Sequence, residues 1–179
     1  MNKVYKSYAR LLSFAAVIVI LDQFTKYIVR TNLPLGQVWL AERSFTQYVR
    51  IVHWYNTGAA GGLFQGMNTL FAGIAFLAIG IILYFYTRIP SDERVLRLSM
   101  GFLLGGASGN LIDRITQGHV TDFFSVGNIP VLNLADLSVA IGLVLFVLGL
   151  WQRERKSGNA KRTQKDPPDK SSDDLPNIV

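Results

Sequence analysis

An all-α membrane protein of four transmembrane helices, with a small β-like element outside the membrane, is the fold the sequence predicts. Three observations carry that expectation. Half of the 179 residues are hydrophobic and only 17% are charged, a balance that points to a membrane rather than to a soluble core. The apolar residues gather into four runs, at about 11–29, 69–86, 95–112 and 131–151, each close to the roughly 20 residues a helix needs to cross about 30 Å of hydrocarbon. Between the first two runs, Phe45 to Tyr55 is rich in Val, Ile, Tyr, Phe and Trp, which is strand composition.

Composition also narrows the chemistry. There is no cysteine, so a disulfide framework, a thiol nucleophile and a thiolate metal site are excluded. With His53 and His119 the only histidines, a multi-histidine metal centre is disfavoured, and no metal or cofactor is expected. The net charge is +6, but the basic residues flank the apolar runs or sit near the C-terminus, so membrane topology explains them better than a nucleic-acid partner does.

Taken in order, Met1 to Arg10 carries Lys3, Lys6 and Arg10 ahead of an apolar run that has no small-residue cleavage site. It reads as a retained first span rather than as a removed leader. Asp22 and Lys26 fall in its far third, spaced i,i+4, so they share a helix face and can neutralise each other; the simplest account is an ion pair with Lys26 snorkelling to the interface. Residues 30–68 form an extramembrane loop with a turn at Pro34 to Gly36, and Trp39, Trp54 and Tyr55 suit a small sheet on the bilayer surface. The second span is free of charge. Pro90 stops it, and Ser91, Asp92 and Glu93 open the third. The third ends in GGASGN, whose small side chains permit close helix approach. After a loop over 113–130 the fourth span contains Asp136, about 8 Å inside the helix if that helix starts near Val131. Residues 152–179 are almost devoid of apolar side chains and are expected to be a disordered tail.

Four spans put both termini on one side. The N-terminus, the connection Arg88 to Arg97 and the tail hold thirteen of the 18 Lys and Arg, whereas the opposite loops and helix ends hold five. That bias assigns the termini to the cytoplasm and the larger loops to the outside. Asp22, Lys26, Asn56, Asn110, Asp113, Arg114, Asn133 and Asp136 then converge near the outer leaflet. Charged groups at such depth are expensive unless wet, paired or used, which makes the convergence a candidate site.

Two neighbouring carboxylates can share one proton, activating water against a peptide carbonyl while protonating the departing group. Asp122 in VTDFF and Asp136 in NLAD are the best pair, since apolar neighbours favour the protonated form; Asp113, adjacent to Arg114, suits a structural role. Ser108 in GASG offers a rival, a serine-type intramembrane protease. That enzyme needs a histidine base on a neighbouring helix, and both histidines fall in loops. Lys26 as the base for a serine lacks an adjacent nucleophile motif. A small proton- or ion-coupled transporter is the non-enzymatic alternative, but the chain shows no internal repeat or interrupted hydrophobic helix.

Five blocks, DQFTK at 22–26, NTGAA at 56–60, GGASGNLIDR at 105–114, VTDFF at 120–124 and NLAD at 133–136, resemble those of the lipoprotein signal peptidases, also called signal peptidase II, in the same order along nearly all of Leu11 to Trp151. The resemblance implies an inner-membrane aspartic endopeptidase of four helices with an extracytoplasmic β-like cradle near Phe45 to Tyr55. Such an enzyme cuts the signal peptide from a diacylglyceryl-modified prolipoprotein just before the lipidated cysteine, works among membrane lipids and is inhibited by globomycin. By motif, Asp122 and Asp136 correspond to the catalytic pair, and Asp22, Lys26, Asn56, Asn110, Arg114 and Asn133 to residues that support the pair or hold substrate and inhibitor. The chain departs from the family pattern at Gly61, where Phe is usual, and at Leu132, where an aromatic is usual. Its link from Asp122 to Asp136 is also short.

Overall fold

Each of the four apolar runs becomes a helix, and in each case the helix outlasts the run. The computed structural model describes residues 3–39, 49–58, 64–127 and 129–165. In chain order the elements are α1 (Lys3–Asn32), β1 (Val38–Trp39), β2 (Val49–Asn56), α2 (Asn68–Tyr86), α3 (Arg94–Thr116), β3 (Val120–Val126) and α4 (Leu134–Lys165). All four helices are long and apolar enough to span a bilayer, with mean hydropathies from 1.3 to 2.2. Helix α1 extends beyond both of its expected limits of 11–29, and α4, expected over 131–151, begins later, at Leu134, but runs on to Lys165. Their flanks are rich in Lys and Arg, which a helix accepts readily, and elongating an existing helix needs no new nucleus. Gln152 to Lys165, expected to be disordered, is therefore helical; residues 166–179 lie outside the described residues.

Helix α3 packs against α1, α2 and α4, and it can do so because one of its faces is nearly bare. A Cβ on Gly105 would lie 2.7 Å from Ile18 of α1, and one on Gly106 only 2.5 Å from the Ala135 carbonyl of α4. The stretch containing Ser108 is thus explained by packing. Gly106→Ala has no flexible atom to push aside, so it forces α3 and α4 apart. We expect a destabilisation of about 1–3 kcal/mol, read as a lower melting temperature in detergent. Gly73→Ala on α2, where nothing lies within 4 Å of the added carbon, should leave the melting temperature unchanged or slightly raised.

At one end of the bundle the core is apolar, built from Leu11, Ala15, Ile82, Tyr86, Met100 and Leu104. Many large apolar side chains elsewhere are exposed, among them Phe24 of α1, Phe76 of α2 and Leu143 of α4. In a bilayer they meet lipid tails rather than water. At the other end lies an antiparallel sheet in the order β1-β2-β3. The strand expected from Phe45 is described from Val49 to Asn56; residues 45–48 and Gly61 lie outside the described residues.

Candidate active site

The register of two strands and one helix cap brings the polar residues together. Trp54 of β2 pairs with Asp122 of β3, with a register shift between Ile51 and Trp54. Asn56 lies two residues beyond Trp54 and so points to the same face as Asp122. Its Nδ2 donates to Asp122 Oδ2 at 3.0 Å. Past β3 the chain turns back, and Leu132 forms a bridge with Phe124, with hydrogen bonds of 2.7 and 2.9 Å between their backbones. The residue after it, Asn133, is thereby held beside Asp122, and its Nδ2 donates to Asp122 Oδ1 at 2.7 Å.

Asn133 is also the N-cap of α4. Its Oδ1 accepts the Asp136 backbone N–H at 2.9 Å, while Asp136 Oδ2 accepts the Asn133 backbone N–H at 3.3 Å. This is a reciprocal capping box, with Asn and Asp in the places of Ser and Glu. One side chain therefore fixes Asp122 and the helical turn that carries Asp136. It also corrects the expected depth of Asp136: the helix begins at Leu134 rather than near Val131, so this carboxylate lies in the first turn. Asp136 is half-buried, whereas Asp122 is 2% exposed.

Beneath this pair lies a second, fully buried cluster. Lys26 Nζ is 2.9 Å from Asp22 Oδ2 and 2.9 Å from Asp113 Oδ2, and it donates to Asn110 Oδ1 at 2.9 Å. All three ammonium protons are used. Lys26 does not snorkel, since its exposure is 0%; two carboxylates and an amide replace the water it would otherwise seek. With its oxygen taken by Lys26, Asn110 presents Nδ2 to Asp136 Oδ1 at 2.8 Å. Asp22 Oδ1 accepts the Ala135 N–H at 2.9 Å, tying α1 to the start of α4. Asp113 Oδ2 accepts the Thr121 N–H at 3.1 Å and so anchors β3 one residue before Asp122. Arg114 donates to the carbonyls of Gly58 at 3.2 Å and Asn110 at 3.4 Å.

Three participants were not among the expected site residues, although Gln23 lies within the DQFTK block. Gln23 bridges Asp22, the Gly109 carbonyl and Asp113. Arg30 pairs with Asp113 at 3.4 Å and donates to Thr121 Oγ1 at 3.2 Å. Gln65 holds Asn56 and Thr57. The histidines serve the sheet: His53 Nδ1 donates to the Leu33 carbonyl at 2.6 Å, and His119 stacks on Tyr55 with ring centroids 3.7 Å apart.

Electrostatically, the Asp122 carboxyl is pushed up from 3.8 to about 7, first by burial and then by the Asp136 charge, against the downward pull of the Asn56 and Asn133 amides. A buried acid that still carries its proton near neutrality, linked through one amide to a wetter carboxylate, has the two unequal members that acid–base catalysis by paired carboxylates requires. Burial also lowers His119, keeping its ring neutral.

Comparison with known proteins gives a concordant result. A family model described as signal peptidase (SPase) II matches residues 14–152. The lipoprotein signal peptidase of Moorella thermoacetica is 36% identical over 84% of this chain and 97% of its own length, and that of Shouchella clausii is 35% identical over 83% and 97%. Among solved structures, two of a bacterial membrane enzyme determined by the in meso method are each 30% identical. One has a TM-score of 0.74 and covers 80% of this chain and 88% of its own; the other scores 0.70 and covers 79% and 92%.

Proposed function

The chain belongs to the signal peptidase II family, and from that premise we propose that it is an intramembrane aspartic endopeptidase that frees diacylglyceryl-modified prolipoproteins of their signal peptides. In this reading cleavage falls just before the lipidated cysteine. The observation that carries the aspartic mechanism is Asn133, which hydrogen-bonds Asp122 while capping the turn that holds Asp136.

The paired carboxyls hold one proton between them. The ionised member takes a proton from water as its oxygen attacks the scissile carbonyl carbon; the protonated member gives its proton to the carbonyl oxygen. Collapse of the tetrahedral intermediate returns a proton to the departing amine and regenerates the pair. Asn56, Asn110 and Asn133 orient the two carboxyls, while Asp22 and Lys26 hold α1, α3 and the start of α4 in register. Arg114 fixes the Gly58 carbonyl, two residues beyond Asn56. The basic flanks orient the site toward the outer leaflet of the bacterial inner membrane, with both termini cytoplasmic. There the diacylglyceryl group anchors the substrate among membrane lipids and turns a bimolecular encounter into a positioned one. A cyclic-peptide inhibitor of the globomycin type would compete for the same position.

The direct test is incubation of the purified protein in detergent with a lipid-modified prolipoprotein and with its unlipidated counterpart. Cleavage of the first alone, insensitive to chelator and to serine reagents, is expected; cleavage of both, or block by either reagent, would overturn the reading. The raised Asp122 carboxyl adds a pH dependence. Protonated Asp122 is the active form, so kcat/KM should fall as pH rises through about 7 and that proton is lost. A flat profile from pH 6 to 9 would contradict this assignment.

A further inference from the structure

We propose that Gln65 is a positioning residue for this reaction, locking the side-chain amide of Asn56 in the one orientation that donates a proton to Asp122. The inference rests on the reading of Asp122 as half of the catalytic pair.

The orientation of both amides is fixed by groups whose roles are unambiguous. The Thr57 backbone N–H can only donate, so the Gln65 atom 3.2 Å from it is the oxygen, Oε1. Thr57 Oγ1 gives its proton to the same oxygen at 2.6 Å and accepts the Gly66 N–H at 2.9 Å. Gln65 must therefore turn its Nε2 toward Asn56, and that nitrogen lies 3.3 Å from Asn56 Oδ1. The Gly58 backbone N–H also donates to Oδ1, at 2.9 Å. Two donors on Oδ1 leave Nδ2 as the only face Asn56 can offer Asp122 Oδ2, at 3.0 Å. The latch is exposed, but the amide it orients is buried, at 7% exposure. It closes the base of the turn between β2 and α2, where Phe64 takes a left-handed φ of 57°.

Replacing Gln65 by Glu or by Met separates orientation from mere loop bracing. Gln65→Glu keeps an oxygen for both Thr57 donors but sets a second oxygen against Asn56 Oδ1, favouring a flip that would turn an oxygen toward Asp122. Gln65→Met removes every bond that Gln65 makes and keeps the Gly58 N–H on Asn56 Oδ1. If the latch orients Asn56, Glu is the worse substitution. If it only braces the loop, Met is. The charged groups acting on Asp122 are Asp136, Lys26 and Arg114, and neither substitution alters them; Gln65→Glu adds one carboxylate of its own.

The experiment measures kcat and KM of the parent protein, Gln65→Glu, Gln65→Met and Asp122→Asn on lipid-modified prolipoprotein, from pH 4 to 8. The expected result at pH 7 is a fall in kcat of about tenfold for Glu and only a few-fold for Met, with KM little changed. The deficit of Glu relative to the parent should shrink as pH falls toward 4, where most of an exposed glutamate is neutral and can donate to Asn56. Parent-like kcat in both Gln65 variants, Met worse than Glu, or a pH-independent Glu deficit overturns the assignment while leaving the catalytic pair standing, provided that Asp122→Asn is inactive. Normal turnover by Asp122→Asn would remove the pair, and this proposal with it.

Discussion

Asp122→Asn and Asp136→Asn should each abolish processing of lipid-modified prolipoprotein, by at least about 10³-fold, while the protein remains folded and inserted. General acid and general base catalysis each contribute about 10²–10⁴-fold, and groups that act as a unit lose nearly everything when either is removed. Stability should not follow activity. Asp122 is 2% exposed and its ionised form is opposed by burial and by the neighbouring charge, so a neutral amide of the same shape relieves a cost. It can still accept one proton, from Asn56 or from Asn133. Its NH2 then faces the NH2 of the other amide, which offsets part of that relief, so we expect Asp122→Asn to melt near the temperature of the parent protein, with activity and stability separating. A variant inactive because it is unfolded would leave the dyad unsupported, and normal turnover in either would sink it.

Much of the candidate site is legible in the sequence, and the parts that are not share a physical cause. Long apolar runs announce spans because no other environment accepts them. Asp122 and Asp136 stand out because carboxylates in apolar surroundings are costly. Helix ends were less legible: Gln152 to Lys165 has the Lys and Arg content a helix tolerates, but with almost no apolar side chains it carries no burial pattern to mark the continuation of α4. The start of α4 was written in the sequence as an Asn-x-x-Asp capping box, and reading it would have moved the helix start from Val131 to Leu134. Lys26 is the instructive failure. Its i,i+4 partner Asp22 could be read from spacing, but Asp113 and Asn110 reach it from α3, and with only Asp22 in view a solvated ammonium was the cheaper account. Gln23, Arg30 and Gln65 act entirely through such tertiary contacts.

Lys26 also carries the largest expected effect on stability. It is fully buried and is the cation common to two fully buried carboxylates, Asp22 and Asp113. Breaking a buried pair by removing one partner is far more costly than lacking the pair, because it strands the other charge. Lys26→Met keeps the length and apolar stem but removes the ammonium. Asp113 then retains Arg30 at 3.4 Å, whereas no other cation lies within ion-pair reach of Asp22 among the described residues. We expect a loss of about 3–5 kcal/mol, measured by thermal unfolding or pulse proteolysis in detergent. Lys26→Arg should not rescue, because a larger planar fork has no room in a site with no exposure. The decisive comparison is the triple variant Asp22→Asn, Lys26→Met, Asp113→Asn, which removes all three charges together and should recover part of the lost stability. Even then it should remain catalytically impaired: without the ammonium on its Oδ1, Asn110 is free to rotate, and its donation to Asp136 is no longer enforced. If Lys26→Met alone melts with the parent protein, the charge cluster is not what holds α1 against α3 and α4, and the close packing at Gly105 and Gly106 must suffice without it.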